Sequence, residues 1–245
     1  MPASSNFNKA IREAHNSPIV GSNVLQKALP YVGGAMILTS LGILFGITLI
    51  YTNPSLFKPI YFDNLIVEIS LFFVAKRASN NSNNSRSLIL LILFSLLTGF
   101  ALSGIVGLVI GTNGMGSVGT AALATGIIFL IASYTVHTIS NSVRQALSRV
   151  VSLGLIGLLI AFFIQFIGGF FAPGVFGRSV FDFINAGFGT ALFVIISFLD
   201  FYTMPRKYSD KNYLVGALSM YLTYTNLILY TLRFMVPLQG VKRKV

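Results

Sequence analysis

The chain has no cysteine and no tryptophan, and only six carboxylates and two histidines among its 245 residues. Without cysteine there is no disulfide, no thiolate metal ligand and no cysteine nucleophile. Without tryptophan, an aromatic belt at a membrane surface must come from tyrosines such as Tyr31, Tyr51, Tyr208 and Tyr213. His15 lies in a polar tail and His137 directly after Val136, at the end of an apolar run. Neither has a second His or Cys at metal-ligand spacing. No serine sits in a nucleophile-elbow pattern, and no glycine-rich loop with lysine follows a strand. The composition therefore argues against an enzyme and calls for no cofactor.

Charge is scarce as well. Charged residues make 9% of the chain and hydrophobic residues 54%, with a mean hydropathy of +0.79. A soluble domain carries about 25% charged residues. The expectation is an all-α integral membrane protein in a lipid bilayer. Seven apolar segments are legible: Ala28–Tyr51, Ile60–Ala75, Ser87–Ile110, Gly116–Val136, Val150–Ala172, Val180–Met204 and Tyr213–Val236. A span needs about 20 residues, so seven spans with short loops use up the length. Breakers mark the loops: Asn53-Pro54 and Lys58-Pro59, then Gly111 to Gly114, then Pro173-Gly174. Pro205 is expected to end the sixth segment. The organisation read from this is a tail at 1–27, a seven-helix domain at 28–236 and a basic tail at 237–245.

The net charge of +11 would suggest nucleic acid in a soluble protein. Here the basic residues fall between apolar runs and mark loops on one side, so no nucleic-acid partner is expected. With the N-terminal tail cytoplasmic, the inner side collects Lys9, Arg12, Lys27, Lys76, Arg77, Arg86, Arg144, Arg149, Arg206, Lys207 and Lys211. The outer loops have Lys58 and Arg178. The last tail disagrees, because Lys242, Arg243 and Lys244 fall outside when seven spans are drawn. Met1 to Lys27 has no charged-then-apolar layout and is not read as a cleaved signal. Asn80 and Asn83 begin Asn-x-Ser matches in a polar loop, discounted because that loop is placed inside. Glycines at 99, 104, 107, 111, 154, 157, 168 and 169 are read as sites of close helix approach.

Ionisable groups inside spans are costly and mark function by default. Asp200 closes the run that begins at Gly187, and Glu68 sits inside Leu65 to Val74. A structural reading stands beside the functional one. Asp200 could snorkel and pair with Arg206 or Lys207, and Glu68 could pair with a polar group in the bundle.

Gly216-Ala-Leu-Ser-Met-Tyr-Leu-Thr-Tyr-Thr-Asn-Leu-Ile-Leu-Tyr-Thr-Leu-Arg233 resembles the last helix of the Bax inhibitor family. Phe198-Leu-Asp-Phe-Tyr-Thr203 is similar to the helix before it, which ends in Tyr-Asp-Thr-Gln in that family. Thr98-Gly99, Leu102-Ser103, Thr125 and Phe129 fit the third and fourth helices more loosely, and Ser22 to Leu29 resembles the bacterial branch. The resemblance implies seven helices with the last one central, in a bacterial inner or an organellar membrane. It also implies an aspartate pair on the last two helices that acts as the pH sensor of a calcium leak. Asp200 matches the first aspartate, whereas Thr223 stands at the second. Like-charge coupling is then absent unless Glu68 supplies it. His137, Arg206 and Lys207 are secondary candidates. Two functions follow. The favoured one is a regulatory membrane protein that tunes an FtsH-type membrane protease or stabilises a larger membrane complex. The alternative is a calcium or other cation leak with Asp200 attracting the ion and weakened pH sensing.

Overall fold

A computed structural model of the chain describes residues 19–57, 59–61, 63, 64, 67, 84–135, 141–171 and 180–240. Glu68 and His137 lie outside the described residues. Among those described there is no strand. The long helices are α1 (Val24–Thr52), α2 (Asn84–Asn113), α3 (Met115–Thr135), α4 (Asn141–Phe171), α5 (Val180–Lys207) and α6 (Tyr213–Gly240). The described residues between 54 and 67 are helical too. Five of the six long helices are long and apolar enough to cross a membrane, and α6 is the exception. It carries Thr223, Thr225, Asn226, Thr231 and Arg233. It is also the helix packed against α1, α2, α3 and α5. Thr225, Asn226 and Thr231 bond back to their own helix at Tyr221 O, Leu222 O and Leu227 O, and Thr223 bonds across to α5, so these polar groups are satisfied away from lipid.

The turns follow local chemistry. Gly114 has φ 81, a left-handed conformation that glycine adopts without a Cβ clash, and it separates α2 from α3. Its N–H caps Ile110 O at 3.0 Å. Asn53 ends α1, with its N–H on Leu49 O at 2.9 Å. Two expected boundaries need correction. The polar stretch Asn141 to Arg149 belongs to α4, which starts well before the apolar run at Val150. Pro205 lies inside α5 and does not end it. Pro205 gives up one i−4 bond, to Phe201 O, but its own carbonyl, free of a helix partner in the last turn, accepts the N–H groups of Val20 and Gly21 at 2.9 and 3.0 Å.

One end of the bundle is basic. Lys27 Nζ, in the first turns of α1, donates to Asp210 O at 3.3 Å. Asn84, at the start of α2, donates from Nδ2 to Lys211 O at 2.5 Å. Arg144, in the first turn of α4, lies over the Tyr202 ring near the end of α5. These contacts bring Lys27, Arg144, Arg206, Lys207 and Lys211 to a common face. At the far face, Asn113 Nδ2 donates to Met235 O at 3.0 Å. Gln165 there donates to the Asp182 carboxylate.

The closest helix contact is α1 on α2. A Cβ at Gly99 would stand 2.2 Å from Thr39 O, and one at Gly42 would stand 2.3 Å from Leu96 O. Gly46 faces Ser103. Position rises together along both helices, so α1 and α2 run parallel. The small-residue reading is thus right for Gly99, and for Gly154 against Leu192, while Gly104, Gly111 and Gly157 face open space. Within this seam Thr39 Oγ1 donates to Ala35 O at 2.9 Å and meets Tyr221 OH of α6 at 2.9 Å. The tyrosine therefore donates to the threonine. Both side chains are buried. Tyr221→Phe removes that bond and leaves Thr39 its helix partner, so equilibrium unfolding in micelles is expected to show a loss of about 1 kcal/mol.

Candidate functional site

Asp200 sits on α5 two turns before its end, and Thr223 sits on the antiparallel α6. Thr223 Oγ1 donates to Asp200 Oδ2 at 2.5 Å. The hydroxyl donor holds the carboxyl group in one orientation. Thr223 is buried and Asp200 half-buried. The structure thus brings these two expected residues together.

The remainder of the carboxylate looks into a small open cleft. Thr203, Met204, Lys207, Tyr208, Ser219 and Met220 line it with Asp200. Gly216 completes the wall, where a Cβ would meet the Met204 methyl at 2.4 Å. Lys207 is the basic group of this lining, and the cleft lies toward the basic face. Of the two bases that the structural reading offered, Lys207 lines the cleft with Asp200, whereas Arg206 is not its partner. Its guanidinium carbon lies 3.8 Å from the Tyr202 ring centroid, and Nη1 donates to Tyr202 O at 2.8 Å. Residues 200 and 206 are six apart along a helix of 3.6 residues per turn, so the two side chains diverge.

On the other side of Asp200 the α5–α6 seam is filled by aromatic rings. Phe193 stacks on Tyr230 at 5.5 Å, and Gly189 makes room for the same tyrosine. Further along, Phe183 stacks on Phe234 at 4.7 Å. The cleft therefore reaches Asp200 from the basic face and stops there.

Asp210 has a role that the sequence did not disclose. Its Oδ1 accepts the Asn23 N–H at 3.0 Å, at the residue that precedes α1. A carboxylate at a helix N-terminus satisfies an orphan donor and opposes the positive end of the dipole. With the Pro205 carbonyl, this contact lays residues 20–23 across the 208–212 turn. Gly21 is required there, since a Cβ would stand 2.5 Å from Tyr208 O. Tyr208 is also a wall of the cleft, so the N-terminal segment braces the site. The signal available in sequence was only that Asp210 is one of six acids. Asp210→Ala is expected to cost about 1 kcal/mol, the usual loss of a cap, and to increase proteolysis ahead of α1.

Asp182 and Asp63 take no part in this cleft. Asp182 is bonded to Gln165 at the far face, and Asp63 is exposed.

Comparison with the curated proteins finds no match. The family model described as "Inhibitor of apoptosis-promoting Bax1" matches residues 21–240, which take in every helix above and both Asp200 and Thr223. That match and the apolar helices make this a multi-pass membrane protein, and the chain belongs to the Bax inhibitor family.

Proposed function

We propose that the protein is a cation leak in its membrane, with Asp200 as the ion-attracting group. The observation that carries this reading is the open cleft that ends on Asp200. A carboxylate at the foot of an open cleft attracts cations; Thr203 and Ser219 line that cleft and Thr223 holds the carboxylate. The aromatic seam beyond Asp200 makes this conformation a closed one. Calcium is the cation that the family resemblance favours. The sequence alone tilted toward a regulator of a membrane protease or larger complex. That second reading draws on the same closed seam, and on Thr223 standing where a second carboxylate would be.

We also infer seven crossings, with α6 at the centre. Parallel neighbours α1 and α2 both leave the basic face, so the connection from 53 to 84 returns the chain to it. Phe57 lies 5.6 Å from Phe100, and Asn64 Nδ2 donates to Leu97 O at 3.1 Å, so this connection starts back along α2. A single face that gathers the basic residues supports a cytoplasmic N-terminus.

The test is calcium flux into liposomes that carry the purified protein. Asp200→Asn keeps an acceptor for Thr223 and removes the charge. The expected result is flux above empty liposomes for the unmodified protein and a drop of about fivefold for Asp200→Asn, equivalent to about 1 kcal/mol at the site. No flux above empty liposomes, or an unchanged rate for the variant, sinks the leak reading. Slower or faster turnover of a membrane protease's substrates in cells without the protein would then favour the regulator.

A further inference from the structure

The cleft leaves a second feature of the basic face unused. Arg144 of α4 and Arg206 of α5 converge on one aromatic ring. The Arg144 guanidinium carbon is 5.1 Å and that of Arg206 3.8 Å from the centroid of the Tyr202 ring. Tyr202 itself is buried. The two cations are therefore no further apart than those distances together. Two like charges at such a separation repel, and a ring face offsets only part of that. An anion would do so fully.

The carboxylates of this end do not serve. Asp200 is bonded to Thr223 and Asp210 to Asn23. Neither guanidinium has a carboxylate partner among the described residues. The Arg144 Nε–H is enclosed and has no hydrogen-bond partner among them. Arg206 spends one N–H on Tyr202 O, which fixes its plane and leaves its other donors available. Guanidinium forks match the oxygens of a phosphate in number and spacing.

We propose that Arg144 and Arg206, gathered round Tyr202, form a phosphate-binding site, and that the phosphate is the headgroup of an anionic lipid. The lipid source follows from what surrounds α4. Val143, Val150 and Leu153, on the other faces of α4, are exposed, so the helix that carries Arg144 presents an apolar surface to the surrounding acyl chains. A free phosphate ion would gain nothing from those side chains. A basic pocket between spanning helices at the membrane surface is a setting in which lipid headgroups bind.

The experiment uses the full chain purified in neutral detergent, with phosphatidylglycerol, phosphatidylcholine and inorganic phosphate as separate probes. Retained lipid is read by native mass spectrometry, and affinity by titration of the thermal transition. The expected result is saturable binding of phosphatidylglycerol that Arg144→Gln weakens about tenfold. Arg206→Lys, which keeps the charge and loses the fork, weakens it severalfold. Arg149→Gln, the same charge change on an exposed site of the same helix, leaves it within about twofold, as expected for a surface charge. Equal losses for Arg144→Gln and Arg149→Gln overturn the site, because they mean diffuse attraction to a basic surface. Inorganic phosphate binding as tightly as phosphatidylglycerol overturns the lipid assignment. Equal binding of phosphatidylcholine overturns the role of the two guanidiniums in choosing an anion. If Arg144→Gln does not fold, Arg144→Lys replaces it and is held to the same severalfold loss as Arg206→Lys.

Discussion

Gly99→Leu is expected to destroy the α1–α2 seam, and with it the folded bundle. The Cβ alone decides this. It would stand 2.2 Å from Thr39 O and 2.9 Å from the Thr39 Cα, both backbone atoms that no rotamer change can move aside. The helices must separate, and separation loses the facing contact at Gly42, the Gly46–Ser103 contact and the bond from Tyr221 to Thr39. Overpacking a core costs about 1–3 kcal/mol when side chains can yield, and more when backbone must. Replacing glycine inside a helix returns about 1 kcal/mol in propensity at most. The clash wins, and Gly99→Leu should lose at least about 2 kcal/mol on that comparison. Gly99→Ala meets the same first clash and should also destabilise. Gly104→Ala, on the same helix with open space before it, should be neutral or slightly stabilising. Monodispersity in detergent and equilibrium unfolding in micelles separate the cases. A stable, monodisperse Gly99→Leu protein would mean that α1 and α2 do not pack as described.

The contrast between those glycines shows where sequence reading stopped. Apolar runs located the helices because lipid demands an apolar surface over a fixed length, and that demand is local. It was blind to Asn141 to Arg149, where α4 continues into the polar surface layer as a helix with no apolar run to betray it. It marked glycines as packing sites without knowing which face each occupies. Gly42 and Gly46 went unnoticed, and Gly104 was credited with a contact it lacks. The Asp200–Thr223 pair was legible only through the family pattern, which aligns two helices that sequence spacing alone cannot put together. Asp210 on Asn23 and Pro205 on Val20 join residues more than 180 positions apart. Nothing local announces such contacts. The pairing of Asp200 with Arg206 failed for a plain reason: six residues along a helix turn the second side chain away from the first.

Thr223→Asp is expected to make any cation flux respond far more steeply to pH. The Thr223 hydroxyl already touches Asp200 Oδ2 at 2.5 Å, so an aspartate there puts two carboxylates in contact on adjacent helices. Two carboxylates that close cannot both ionise freely; they share a proton and release it in coupled steps that belong to the pair. The unmodified site has one carboxylate and a neutral hydroxyl, hence one proton to gain or lose and no mutual repulsion when it ionises. Repulsion in the variant also acts on structure. Deprotonation pushes α5 from α6 at the point where the cleft stops, next to the Phe193–Tyr230 stack that fills the seam beyond. One proton changes the ratio of two states at most tenfold per pH unit, so a coupled second group can add up to about tenfold per unit. Flux measured between about pH 6 and 8 in Thr223→Asp liposomes should therefore vary roughly tenfold more than in the unmodified protein. Thr223→Val, of similar size and without the hydroxyl, is the companion variant. It frees Asp200 from its fixed orientation without adding charge, and should leave the steepness as it was. If Thr223→Asp and the unmodified protein share one pH profile, the sensing group is not at this site, and the assignment of Asp200 to the ion path fails with it.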